Sequence, residues 1–218
     1  MDHGGVVIDY YGDGLAAMWN APTDMQQHAD HAVEAALAMI NELPAINTQW
    51  AERLGGLIRL GIGIHTGRAQ VGNSGSRRRM KYGPRGHAVN LTSRVEAATK
   101  VFGVTCLLTA ATKEQLRMDF PLRRICKARL TGMTEAVDLF EISPAIKQPT
   151  WPLQKQRYEA ALALYEQNKM QECQQACQAI GEELGDFDGP TKWLFGRAQQ
   201  RLASPDAPFE AVFAVETK

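Results

Sequence analysis

Residues 58–100 read IRLGIGIHTGRAQVGNSGSRRRMKYGPRGHAVNLTSRVEAATK. From Leu57 to Thr66 apolar residues alternate with small or polar ones, the period-two pattern of a strand. Gly67 opens a turn, and Ala69 to Val71 resumes an extended run. GNSGSRRR is polar and glycine-rich and reads as a loop. Gly83-Pro84 reads as turn chemistry. HAVNLTSRVEAATK follows as a helix, which Gly103 ends. Asn90 and Arg94 stand four apart on that helix and share a face.

Upstream, Val6 to Ile8 and Leu15 to Trp19 flank YYGDG. An Asp-Gly pair between two apolar runs predicts a hairpin with Asp13 at its turn. Val33, Ala36, Leu37, Ile40 and Leu43 recur at three and four, an amphipathic helix that Pro44 ends or bends. Downstream, VTCLLT reads as a strand and TAATKEQLRMDF as a helix. LRRICKARLTG and AVDLFEIS read as two last strands, with Gly132 near their turn. The order over residues 1–143 is β-β-α-β-(loop)-α-β-α-β-β, which predicts an α+β sandwich with helices on a sheet.

A second region follows Pro144, giving a division at 1–144 and 145–218. Tyr158, Ala161, Leu162, Tyr165, Met170, Cys173, Ala176, Cys177 and Ile180 lie in helical register, with a break near Asn168. This predicts a helical hairpin like one tetratricopeptide unit. One such unit cannot bury its own face. It should pack on the first domain, on the following WLFGRAQQRL helix, or on a second copy of the chain.

Apolar residues make up 44% of the 218-residue chain and charged residues 22%, enough for a real core. Formal net charge is zero, so no global excess points to nucleic acid or an anionic surface. Arg77, Arg78, Arg79, Lys81 and Arg85 do crowd together. They read as a solvated turn or as an attractor of a polyanion such as a nucleoside triphosphate. The four cysteines form no CxxC pair and read as reduced structural thiols. There is no run of about 18 apolar residues and no visible signal peptide, which predicts a cytoplasmic location. No Gly-rich Walker sequence occurs. His65 reads as a core or turn residue, His87 as a cap or a solvent-facing residue, and His28 with His31 as a solvated helix start.

Three stretches together resemble a class III adenylate/guanylate cyclase: YYGDGLAAMW, the 58–100 stretch, and RLTGMTEAVDLFEI. The resemblance implies a ferredoxin-like cyclase sandwich, mixed and mainly antiparallel. It implies conversion of a purine nucleoside triphosphate, by default ATP, to a 3′,5′-cyclic nucleotide plus pyrophosphate. Two divalent ions, Mg²⁺ or Mn²⁺, would serve the reaction, with Asp13 as one metal aspartate. Asn90 and Arg94 fit the transition-state pair, acting across a head-to-tail homodimer.

Four features depart from the family pattern. The other metal aspartate belongs on a strand that would precede Met1, and Asp2 is too close to Asp13 to replace it. The chain therefore resembles a domain without its first strand and helices, from a longer parent with upstream sensory or scaffold domains, itself open to membrane anchoring. Asp9 stands where many members carry a purine-contacting lysine. Gly83 stands at the partner base-specificity position. Thr131 stands where a triphosphate-contacting lysine often lies, with Arg129 two residues away, or the Arg77, Arg78 and Arg79 run, as a replacement. These departures leave open a catalytically silent dimerisation or regulatory module.

Overall fold

A computed structural model describes residues 3–142, 148–185 and 187–216. Asp2, and the 144/145 division, lie outside the described residues.

The first two strands, β1 (Val6–Tyr11) and β2 (Gly14–Met18), form an antiparallel hairpin closed by Gly12-Asp13. Gly12 has φ 64°, the left-handed backbone such a two-residue turn favours. Helix α1 (His28–Leu54) follows, then β3 (Ile62–Ile64) and an antiparallel ribbon, β4 (Gln70–Ser76) with β5 (Arg79–Arg85). Helix α2 (His87–Phe102) leads to β6 (Cys106–Thr109), the short α3 (Ala110–Lys113), β7 (Arg123–Leu130) and β8 (Val137–Glu141). Helices α4 (Trp151–Glu166), α5 (Met170–Leu184) and α6 (Gly189–Ala203) precede a last strand, β9 (Phe213–Val215).

The main sheet has the order β3-β6-β8-β7-β9. β3 is parallel to β6 and β9 to β7; β8 is antiparallel to both its neighbours. Alternation along β6 divides the core. Cys106 and Leu108 face a cluster with Val33, Ala36 and Ile40 of α1. Leu107 faces the other side, with Val95 and Phe102 of α2 and with Tyr158, Leu162, Cys173, Ile180 and Leu194 of α4–α6. The result is an α+β sandwich: one helix below the sheet, α2 and the C-terminal helices above it.

Several expectations are corrected. GNSGSRRR is no loop. Its residues 72–76 belong to β4 and Arg79 opens β5, with only Arg77-Arg78 as the tip, and Gly83-Pro84 lie within β5. A ribbon mostly exposed on both faces carries no apolar alternation, so its strands leave no periodic signal. Pro44 does not end α1, which runs on to Leu54. The strand expected from Leu57 to Thr66 shrinks to Ile62–Ile64. The Asn47 side chain takes both the N–H (2.7 Å) and the C=O (3.0 Å) of Ile58, which removes that residue from any ladder. The helix expected from TAATKEQLRMDF is cut to Ala110–Lys113. Buried Asp30 of α1 accepts the backbone N–H groups of Arg117 and Met118, each at 3.0 Å, so those donors leave the helical pattern.

The C-terminal region shares the core of the rest, and one buried cation ties it in. Arg123 of β7 is 1% exposed. Its guanidinium pairs with Glu141 of β8 and with Asp188 at the start of α6. It lies 5.0 Å from the ring centroids of both Trp151 and Tyr158. Asp188 also caps α6, its Oδ1 accepting from the Thr191 N–H at 3.0 Å. Beside it, Arg124 pairs with Asp138 and with Glu166 of α4.

Candidate active site

Asp13 stands exposed at the tip of the β1–β2 hairpin, with no hydrogen bond or ion pair to the described residues. A free carboxylate on a short turn suits a hard divalent ion. Among the described residues no group of three His, Cys, Asp or Glu could hold a metal. The residues present thus fit one ligand of a metal site and do not fit a complete two-ion site.

Asp9, four residues earlier, is committed elsewhere. Its carboxylate forms an ion pair with the Lys81 ammonium of β5, and its Oδ1 accepts the Tyr10 N–H at 2.9 Å. The Lys81 hydrogen bond holds the Asp9 carboxyl below the usual carboxylate range. Lys81 also lies 5.9 Å from the Tyr11 ring centroid. Gly83, two residues on, presses against the same strand: a Cβ there would fall 2.6 Å from Ile8 Cγ2. The ribbon therefore lies against β1, and Asp9, Lys81 and Gly83 form one patch. In the sequence Lys81 stands out only as part of a basic run. The signal that could have found it is an opposite charge on a strand, visible once β5 is read as a strand.

Directly after β5, α2 carries Asn90 and Arg94. Asn90 is exposed and Arg94 half-buried, and neither bonds to the described protein. What places the helix is a glycine seat on and beside β3. A Cβ on Gly63 would lie 2.3 Å from the backbone N of Glu96, and one on Gly61 2.7 Å from Thr99 Oγ1. Only glycine lets α2 approach this closely. In the sequence these glycines read as part of a strand; the seat exists only once α2 packs on β3.

Arg129 and Thr131 lie at the end of β7 and are both engaged by the C-terminal segment. Arg129 pairs with Glu210 at 2.9 Å, and Thr131 Oγ1 donates to the Val215 carbonyl at 3.1 Å. The structure brings these two together with β9, not with the Asp9–Lys81 patch. His65 Nδ1 lies 2.9 Å from Thr109 Oγ1, and burial pushes its imidazole below its ordinary value. His31 contacts Glu34 at 3.2 Å across one turn of α1.

The profile of the adenylate and guanylate cyclase catalytic domain family matches residues 2–142. The chain belongs to this family. The cyclase match takes in β1 through β8, and so every site residue named above. Adenylate cyclase 1 of Rhizobium meliloti (strain 1021) is 37% identical over 147 residues, 66% of this chain and 22% of that protein. The terminal-differentiation-specific adenylate cyclase of Dictyostelium discoideum is 28% identical over 207 residues, 92% of this chain and 10% of that protein. That second match extends into the C-terminal helices. Among solved structures, the guanylyl cyclase Cya2 shares 32% identity at a TM-score of 0.55, covering 65% of this chain and 71% of that one. The chain thus spans a quarter or less of these two curated relatives. No helix among the described residues is long and apolar enough to cross a membrane.

Proposed function

We propose that this chain is the catalytic part of a purine nucleotide cyclase that converts ATP to 3′,5′-cyclic AMP and pyrophosphate in intracellular signalling. In that reaction the ribose 3′-oxygen bonds to the α-phosphorus and the bond from that phosphorus to the bridging oxygen breaks. The hydroxyl proton passes to solvent and pyrophosphate leaves. The observation that carries the reading is α2, which a glycine seat holds in place while Asn90 and Arg94 have no partner among the described residues. Arg94 offers a planar fork to phosphoryl oxygens, and Asn90 can orient the ribose through its amide. Asp13 would hold a divalent ion, Mg²⁺ or Mn²⁺, and a bound ion supplies charge neutralisation at the phosphates. Asp9, Lys81 and Gly83 form the base-reading patch. Within their ion pair the Asp9 carboxylate keeps acceptor lone pairs and the Lys81 ammonium keeps further N–H donors, which match the N6 amino group and N1 of adenine. Arg129 and Thr131 are the triphosphate-side residues, with Arg129 exchanging its exposed pair with Glu210 for phosphate oxygens.

The site is shared in a head-to-tail homodimer, with Asp13 from one copy and Asn90 and Arg94 from the other. Residues 1–144 form the cyclase domain and 145–218 its helical tail, within a longer cytoplasmic or membrane-anchored parent driven by sensory domains. ATP rather than GTP rests on the names of the Rhizobium and Dictyostelium relatives. The test is cyclic nucleotide formation by the full-length protein from ATP and GTP, with Mg²⁺ and Mn²⁺, beside Asp13→Ala. Cyclic AMP that vanishes in the variant bears the proposal out. A folded dimer that makes neither product would replace it with a silent dimerisation module.

A further inference from the structure

The helix that carries Asn90 and Arg94 is held from two sides. One side is the glycine seat at β3; the other is α6, outside the stretch matched by the family profile. At the C-terminal end of α2 the two backbones touch. A Cβ on Gly189, the first residue of α6, would lie 2.4 Å from the Phe102 carbonyl oxygen and 2.6 Å from that of Gly103. Fully buried Phe102 meets Trp193 of α6 edge-on, with ring centroids 4.7 Å apart and planes at 74°. The Trp193 ring in turn lies 4.6 Å from Phe213 of β9. The start of α6 cannot drift, because Asp188 is bonded to buried Arg123 and, at 2.9 Å, to Gln154. Arg94 lies eight residues from Phe102, about 12 Å along a rigid helix. A tilt at the clamped end moves the Arg94 fork directly.

We propose that the α6 contact made by Gly189 and Trp193 on Phe102-Gly103 is a positioning clamp that sets Asn90 and Arg94 for the cyclisation step. The tail then acts in the reaction and is more than a cover for the sheet. The proposal rests on the cyclase reading of Asn90 and Arg94. It assigns Gly189 and Trp193 no contact with substrate. Geometry errors of about 1 Å at a reacting group cost on the order of a hundredfold in rate, so a loosened clamp should be visible in turnover.

The experiment is a double-mutant cycle on the full-length protein, with kcat and KM taken per folded dimer. Gly189→Ala forces the helices apart, and Trp193→Ala removes the ring; either variant that folds is sufficient. Each should lower kcat about tenfold with KM within about twofold. Trp193→Phe should restore most of the rate. In an Arg94→Ala background only Asn90 is left for the clamp to position, so changing Gly189 or Trp193 should lower the residual rate by clearly less than about tenfold. A fall by the same factor in both backgrounds, or no fall in either, overturns the clamp and leaves the cyclase reading standing. If Arg94→Ala alone leaves kcat unchanged, the reading of Arg94 fails, and the clamp with it.

Discussion

Lys81 and Asp9, 72 residues apart in sequence, join β5 to β1 through an ion pair. The pair fixes how the ribbon lies against the hairpin that bears Asp13. It also sets a pH dependence. The folded pKa of Asp9 is depressed, chiefly by the Lys81 hydrogen bond. The pair's contribution is therefore present above the unfolded carboxylate value of about 3.9 and is lost as pH falls through the lower folded value. Carboxyl NMR should find Asp9 titrating below that reference, and Lys81→Met should move it back up. An unchanged Asp9 titration in Lys81→Met would show that the contact does not persist in solution.

Arg123 and Glu141 make a different kind of pair, because both are buried, at 1% and 4% exposure. Removing one partner of a buried pair strands the other's charge, at a cost of about 3–5 kcal/mol. Arg123→Ala should lower the unfolding free energy by about that much in a denaturant titration. Arg124 is about a third exposed in its side chain and shares water with its partners. Arg124→Ala should cost far less, about 1 kcal/mol. Equal losses from the two variants would contradict the burial argument.

Gly63 supports α2 from below, and its replacement tests the seat. A Cβ 2.3 Å from the Glu96 backbone N cannot be relieved by turning a side chain. Gly63→Ala should destabilise by about 1–3 kcal/mol through overpacking and lower cyclase turnover as well. Gly72, whose added Cβ would meet nothing within 4 Å, is the control. Gly72→Ala should fold with nearly unchanged stability.

Where side chains alternate or recur against a core, the sequence was legible. The first half of α1, α2 and the β7–β8 pair have a buried face that imposes a period, β6 is a short apolar run buried on both faces, and the β1–β2 hairpin is marked by its Gly-Asp-Gly turn. The ribbon was missed because both its faces meet water, and β9 because three residues carry no period. The ends of β3, α1 and α3 were misjudged for another reason. They are set by distant side chains, Asn47 on Ile58 and Asp30 on Arg117 and Met118, or by a helix that continues through Pro44. At the candidate site, Asp13, Asn90 and Arg94 could be picked out by motif. Lys81 and the glycine seat could not, since each has meaning only once β5 lies on β1 and α2 on β3.

Asn90 and Arg94 bond to nothing in the described protein, so their loss should separate function from folding. Neither a buried hydrogen bond nor an ion pair is broken when either becomes alanine, and surface changes of this kind stay within about 0.5 kcal/mol. Preorganised donors aimed at developing phosphoryl charge, in contrast, are worth about a hundredfold to a thousandfold in rate. Arg94→Ala and Asn90→Ala should each lower kcat by that order while the thermal midpoint stays within a degree or two. Arg94→Lys keeps the charge and loses the planar fork, so it should recover only part of the rate. Head-to-tail sharing adds a sharper expectation. Mixing Arg94→Ala chains with Asp13→Ala chains, each strongly impaired alone, should restore activity in the heterodimers that carry one intact site. Failure to complement, with mixed dimers demonstrably formed, would place both residues in a site built by a single chain.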